Sequence, residues 1–162
     1  MNISAVMIYL TSWGLLGAAL FSLFAVFLFR SGLVFIAREE DGTLKEHIPV
    51  SGRILMLGTM VSFLAFFAAA NYFGLIRPGY SLSFKEFFVL NFALYLILFL
   101  YDTFVVDAFV LGYWRPSFLR VPEAMGRASM KKHIVKSLPM GTAFGAVLAA
   151  AIAAVSIWVT AE

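Results

Sequence analysis

The 162-residue chain contains no cysteine. Disulfides, thiolate catalysis, Cys-ligated metals and Fe–S clusters are therefore excluded together. Histidine is almost as scarce: His47 and His133 both fall in connecting segments, so no pair of helix histidines is placed to hold a haem. His47, with no second histidine or cysteine near it, reads as a solvated side chain. The chain has no Walker A, GxGxxG, HExxH or GxSxG motif. It also lacks the acidic array and following arginine of a Mg²⁺-dependent alcohol phosphotransferase. No cofactor and no metal site is expected. Charge is the remaining scarcity: only 13% of residues are Asp, Glu, Lys or Arg, whereas 62% are apolar and 17% aromatic. That composition is outside the range of soluble domains and predicts an integral membrane protein.

A helix needs roughly 20 apolar residues to cross a hydrocarbon core about 30 Å thick. Four runs qualify, at 5–29, 54–76, 87–113 and 138–159. The expected fold is a single all-α domain over 1–162, an antiparallel bundle of four transmembrane helices. The first run is expected to stay as a span and not to act as a cleavable signal, because Met1 to Ser4 carries no basic residue and Arg30 follows the run rather than precedes it.

Basic residues set the orientation. The first connection holds Arg30, Arg38, Lys45 and Arg53, and the third holds Arg115, Arg120, Arg127, Lys131, Lys132 and Lys136, whereas the second holds only Arg77 and Lys85. The first and third connections are therefore expected on the cytoplasmic side, with both termini outside a bacterial inner membrane. This placement explains the net charge of +3 without nucleic acid, which is not an expected partner.

The connections have their own signals. Asp41-Gly42 between two apolar stretches predicts a short hairpin in the first loop, with an extension of the first helix through Leu33 to Ala37 as the alternative. Pro78-Gly79 predicts a tight turn that makes the second and third spans neighbours. Ser83 and Glu86 match a capping box at the start of the third span. In the third connection, Pro122 at a first helical position, Glu123 near the positive end of the dipole and Lys131, Lys132 and Lys136 near the other predict a separate surface helix that attracts anionic headgroups.

Two stretches carry candidate function. Asp102 and Asp107 lie inside the third apolar run, where a carboxylate is costly unless compensated. At about 100° per residue Asn91, Tyr95, Leu98 and Asp102 share a stripe, and Asp107 falls roughly 140° away from Asp102. Both lie in the cytoplasmic half, within reach of Arg115, Arg120, Lys132 and His133, and together these six form the candidate polar cluster. Ion pairing of the carboxylates with Arg115, Arg120, Arg30 or Arg53 is the structural expectation. Binding of a cation, a proton or a phosphate-bearing ligand is the functional one. The second stretch is Gly141, Gly145, Ala149 and Ala153, a small residue every fourth position that permits close helix contact with the same chain, another copy or another subunit. Asn71, near the outer end of the second span, predicts an interhelical hydrogen bond.

Asp102 and Asp107, then Trp114, Arg115 and Pro116, then Pro122, Glu123, His133 and Gly141, resemble a pattern in small bacterial integral membrane proteins with four spans. The resemblance covers about a quarter of the chain. It implies a shared fold and a cytoplasmic-side cluster of Asp102, Asp107, Pro116 and His133, and it imports no reaction. The leading expectation is an accessory, assembly or scaffold subunit that packs through the fourth-span Gly/Ala face onto a second copy or within a larger complex. The alternatives are a proton- or cation-coupled transporter component using Asp102 and Asp107, and an enzyme acting on a lipid or isoprenoid phosphate.

Overall fold

The computed structural model describes residues 1–39, 45–123 and 127–161, over 127–133 for the backbone alone. Among these residues the structure is helical. Helix α1 runs Ile3–Ser31, α2 Val34–Ala37, α3 Val50–Asn71, α4 Phe84–Leu100 and α5 Arg127–Thr160. Two π-helical segments continue α3 and α4: π1 over Tyr72–Ile76 and π2 over Tyr101–Trp114. Four helical stretches, Ile3–Ser31, Val50–Ile76, Phe84–Trp114 and Ile134–Thr160, are long and apolar enough to cross a membrane.

The ends of these helices are set by local chemistry. Asn2 caps α1 by accepting from the Ala5 N–H at 2.8 Å. Ser83 and Glu86 form the expected capping box at the start of α4. Gly79 has φ +80, which lets the Pro78-Gly79 turn close without a Cβ clash. At the end of α1, Gly32 with φ +74 returns its N–H to the Phe29 carbonyl and turns the chain into α2. Leu33 to Ala37 therefore do not prolong the first helix. Of the expected hairpin, one rung is seen, with the Lys45 N–H donating to the Ala37 carbonyl at 3.1 Å. The Asp41-Gly42 turn lies outside the described residues.

Helix α4 is the central element. Phe87 and Leu94 are fully buried, and its neighbours on either side are α1 and α5. Met1 lies beside Glu86, Gly14 packs under Ile97, Gly17 under Leu98, and Ser22 bonds Tyr101 at 2.6 Å. Helix α3 reaches α4 through long side chains, with Phe63 and Phe67 against Tyr95. A smaller second core joins Phe29, Val106, Leu111 and Leu119 at the end of the bundle near α2.

Three sequence-based expectations are corrected. The basic segment before the fourth span is not a separate helix: α5 is one helix of 34 residues, and the run from Arg127 extends the fourth span directly. Pro139 lies inside it, so the Val135 carbonyl loses the N–H that would have answered it. The Gly/Ala stripe is not an outward face either. Gly141 lies against the Phe99 ring and Gly145 against Tyr95, while Ala149 and Ala153 are buried. The third correction concerns Asp107. Over Tyr101–Trp114 the backbone winds with i→i+5 hydrogen bonds, and such a turn holds more residues than the 3.6 of an α-helix. Residue i+5 then sits about one turn above residue i. Asp107 therefore falls on roughly the same side of the helix as Asp102, whose carboxylate feels its charge.

Candidate functional site

The site is an apolar cleft of about 460 Å³ between α1, α3 and α4, with Phe144 of α5 at its edge. Its volume falls in the range of small-molecule pockets. It exists because α3 does not press its backbone onto α1 or α4, and bulky rings prop the helices apart. Phe24 comes from α1, Phe63 and Phe66 from α3, and Tyr95 and Phe99 from α4. Gly17 deepens the floor: a Cβ there would meet Leu98 Cδ2 and Phe66 Cζ at 2.8 Å.

Tyr95 is the hub of this wall. Its ring stacks on Phe99 at 5.7 Å, meets Phe63 edge-on at 6.2 Å and touches Phe144 at 6.3 Å. Its hydroxyl donates to the Gly141 carbonyl at 2.8 Å. On α3 the Thr59 and Ser62 hydroxyls donate to the carbonyls of Leu55 and Gly58, each at 2.9 Å. Every hydroxyl in the wall thus directs its proton back into the protein and leaves only lone pairs toward the cleft.

Asp102 lies at the end of the cleft nearer the first connection and is half-buried. It occupies the first turn of π2, just beyond the last α turn of α4. Asp107 and Arg38 act on its carboxylate through space. Among the described residues, none hydrogen-bonds to it. Among the described residues, no ion pair joins Asp102 to the arginines expected from the sequence. The Arg115 guanidinium donates to the Pro122 carbonyl and closes the loop between them, Arg53 donates to the Ile48 carbonyl at 3.2 Å, and Arg30 and Arg120 are exposed. Arg115 has φ +48, a left-handed conformation unusual for a side-chain-bearing residue, and it ends π2 immediately before the buried Pro116. Of the other expected members, Lys132 and His133 have side chains outside the described residues. The structure therefore brings Asp102 and Asp107 together and directs Arg115 and Arg120 elsewhere.

Sequence reasoning missed Arg38, which is carried back toward the bundle by the Gly32 turn and α2. It also missed Thr59 and Ser62. Their spacing of three residues on an otherwise apolar helix puts both on one face, and that was the available signal. Among the described residues no group of three or more His, Asp or Glu side chains is placed to hold a metal ion.

At the opposite end of the bundle a buried polar pair ties α3 to α4. Asn71 and Asn91 exchange hydrogen bonds at 2.6 and 3.0 Å, and each also donates to the carbonyl four residues earlier, at Phe67 and Phe87. Ser156 of α5 approaches the Asn71 oxygen at 3.5 Å. All four amide protons are used, so the pair is structural.

No family model, no curated protein and no solved structure matches the chain.

Proposed function

We propose that this chain is a multi-pass protein of a bacterial inner membrane that binds a lipophilic small molecule, drawn sideways from the bilayer into the cleft beside Asp102. The observation that carries this reading is the cleft itself, an aromatic-lined space with one carboxylate at its end. Scattered apolar side chains on a membrane helix need no explanation, whereas a walled cavity with a single polar anchor has the composition of a ligand site.

The test is photolabelling in lipid nanodiscs with a diazirine-bearing long-chain alcohol. Crosslinks should concentrate on Phe24, Phe63 and Phe144, and filling the cleft with Ser62→Trp should remove them. Labelling spread evenly over Leu15, Leu23, Leu57 and Val147, which are 62 to 71% exposed on the outer surface, would overturn the reading.

The bundle is antiparallel, with both termini outside and the first and third connections cytoplasmic. The order of side-chain contacts along α4 supports this arrangement, and the Lys and Arg asymmetry supports the orientation. The basic start of α5 then lies at the inner headgroups, where it favours anionic lipid. Because the chain has no cysteine, single-cysteine variants report topology cleanly. A membrane-impermeant maleimide should label Tyr80→Cys in intact cells and Arg120→Cys only after permeabilisation. The reverse pattern would invert the orientation.

An assembly role is the second reading, and the 35 large hydrophobic side chains left exposed among the described residues keep a surface available for it. That surface is not the Gly/Ala stripe, which α4 already covers. Each of the two readings makes the chain a binding protein, and neither assigns it catalysis.

A further inference from the structure

We infer that the occupant of the cleft is a lipophilic organic cation, with Asp102 as its counter-ion and the surrounding rings as its cage. This rests on the cleft being a ligand site and goes on to name the ligand's chemistry.

The argument is an inventory of what the wall offers. Thr59, Ser62 and Tyr95 direct their protons to backbone carbonyls, so none is a donor toward the space. What remains is hydroxyl lone pairs, aromatic rings and a carboxylate. A neutral lipophile with an acceptor group, such as a ketone or an ester, finds no hydroxyl proton there. A phosphate-bearing lipid meets a carboxylate and aromatic faces, which repel it. A cation is attracted by the carboxylate and by any ring that turns its face to the space, because ring faces bind ammonium and related groups most strongly where water is excluded. The carboxylate also needs compensation at this depth, and among the described residues no side chain hydrogen-bonds to it or pairs with it. Arg38 acts on Asp102 without forming an ion pair with it. A cation in the cleft completes what Arg38 begins.

Tetraphenylphosphonium and the neutral tetraphenylmethane have the same shape and differ in charge. Binding of each to the purified full chain in detergent separates the two levels of the argument. The phosphonium should bind saturably and more tightly than the hydrocarbon. Asp102→Asn, which keeps the size of the side chain, should weaken the phosphonium by about tenfold or more and leave the hydrocarbon unchanged. Phe24→Leu removes a ring but keeps an apolar side chain, so it should weaken the cation by a few-fold more than the hydrocarbon. Monodisperse elution of each variant guards against misfolding. Equal binding of both probes, with Asp102→Asn without effect, would overturn the cation assignment while leaving a lipophile site in place. Saturable binding of neither would overturn the site as well.

Discussion

Replacing Gly145 with leucine should destabilise the folded chain by about 3 kcal/mol, at the upper end of the usual cost of overpacking. Any Cβ at this position overlaps the Tyr95 ring. That ring is held by Phe63, Phe67, Phe99 and Phe144 and by the Gly141 carbonyl on its hydroxyl, so yielding would drive it into the cleft it borders. Moving it would also sacrifice that hydrogen bond, at about 1 kcal/mol. Gly145→Ala sets two effects against each other. Alanine gains about 1 kcal/mol in helix propensity over glycine, whereas the clash costs about 1–3 kcal/mol, so the net change should remain unfavourable. Ala154→Leu, on the exposed side of α5, should stay within about 0.5 kcal/mol of the parent. Thermal unfolding in detergent reads all three. If the stripe instead joined two copies, Gly145→Leu would leave monomer stability untouched and lower only the oligomer fraction.

The second large effect is expected at Asn91. Asn91→Leu leaves one Asn71 amide proton without a partner and the Asn71 oxygen with only the long Ser156 contact, and should cost about 1–2 kcal/mol. The double variant Asn71→Leu/Asn91→Leu removes both polar groups, so most of that loss should return. The physical reason is the asymmetry of buried hydrogen bonds: a lone unsatisfied amide is expensive in an apolar setting, and an absent pair is nearly neutral. A double-mutant cycle by reversible unfolding in mixed micelles measures the coupling. Equal destabilisation in the single and double variants would mean that leucine packing, and not amide pairing, sets the cost.

Both effects originate on α4, and they show where sequence and structure part. The stripe of Asn91, Tyr95 and Leu98 was legible from helical periodicity, and all three side chains are buried. The Asn71 hydrogen bond was legible as a bond, though its partner was not, because a lone amide in a span does not say which helix answers it. The regular spacing of Gly141, Gly145, Ala149 and Ala153 announced close packing. It could not announce that the partner would be Tyr95 and Phe99, because small residues admit any neighbour and select none. Asp107 was misplaced for a different reason. Its angle was measured on an α-helix, and the winding over Tyr101–Trp114 follows i→i+5 bonds that no local propensity encodes. The expected pairing of Asp102 with Arg115 was lost similarly. Arg115 satisfied itself on the carbonyl of Pro122, and Arg38 reached the carboxylate's field only because a glycine turn and a short helix carried it there.

By itself the chain determined four membrane-length helices, their approximate limits, the capped start of the third and the tight turn before it. Those features depend on runs of neighbouring residues: in lipid every backbone group must be satisfied within its own helix, so hydropathy along one dimension is enough. Tertiary structure alone decided that α3 stands off from α1 and α4, that a cleft opens between them, and that Asp102 closes its end. A cavity depends on which bulky rings meet across helices distant in the chain, and that meeting is settled only when all the helices pack at once.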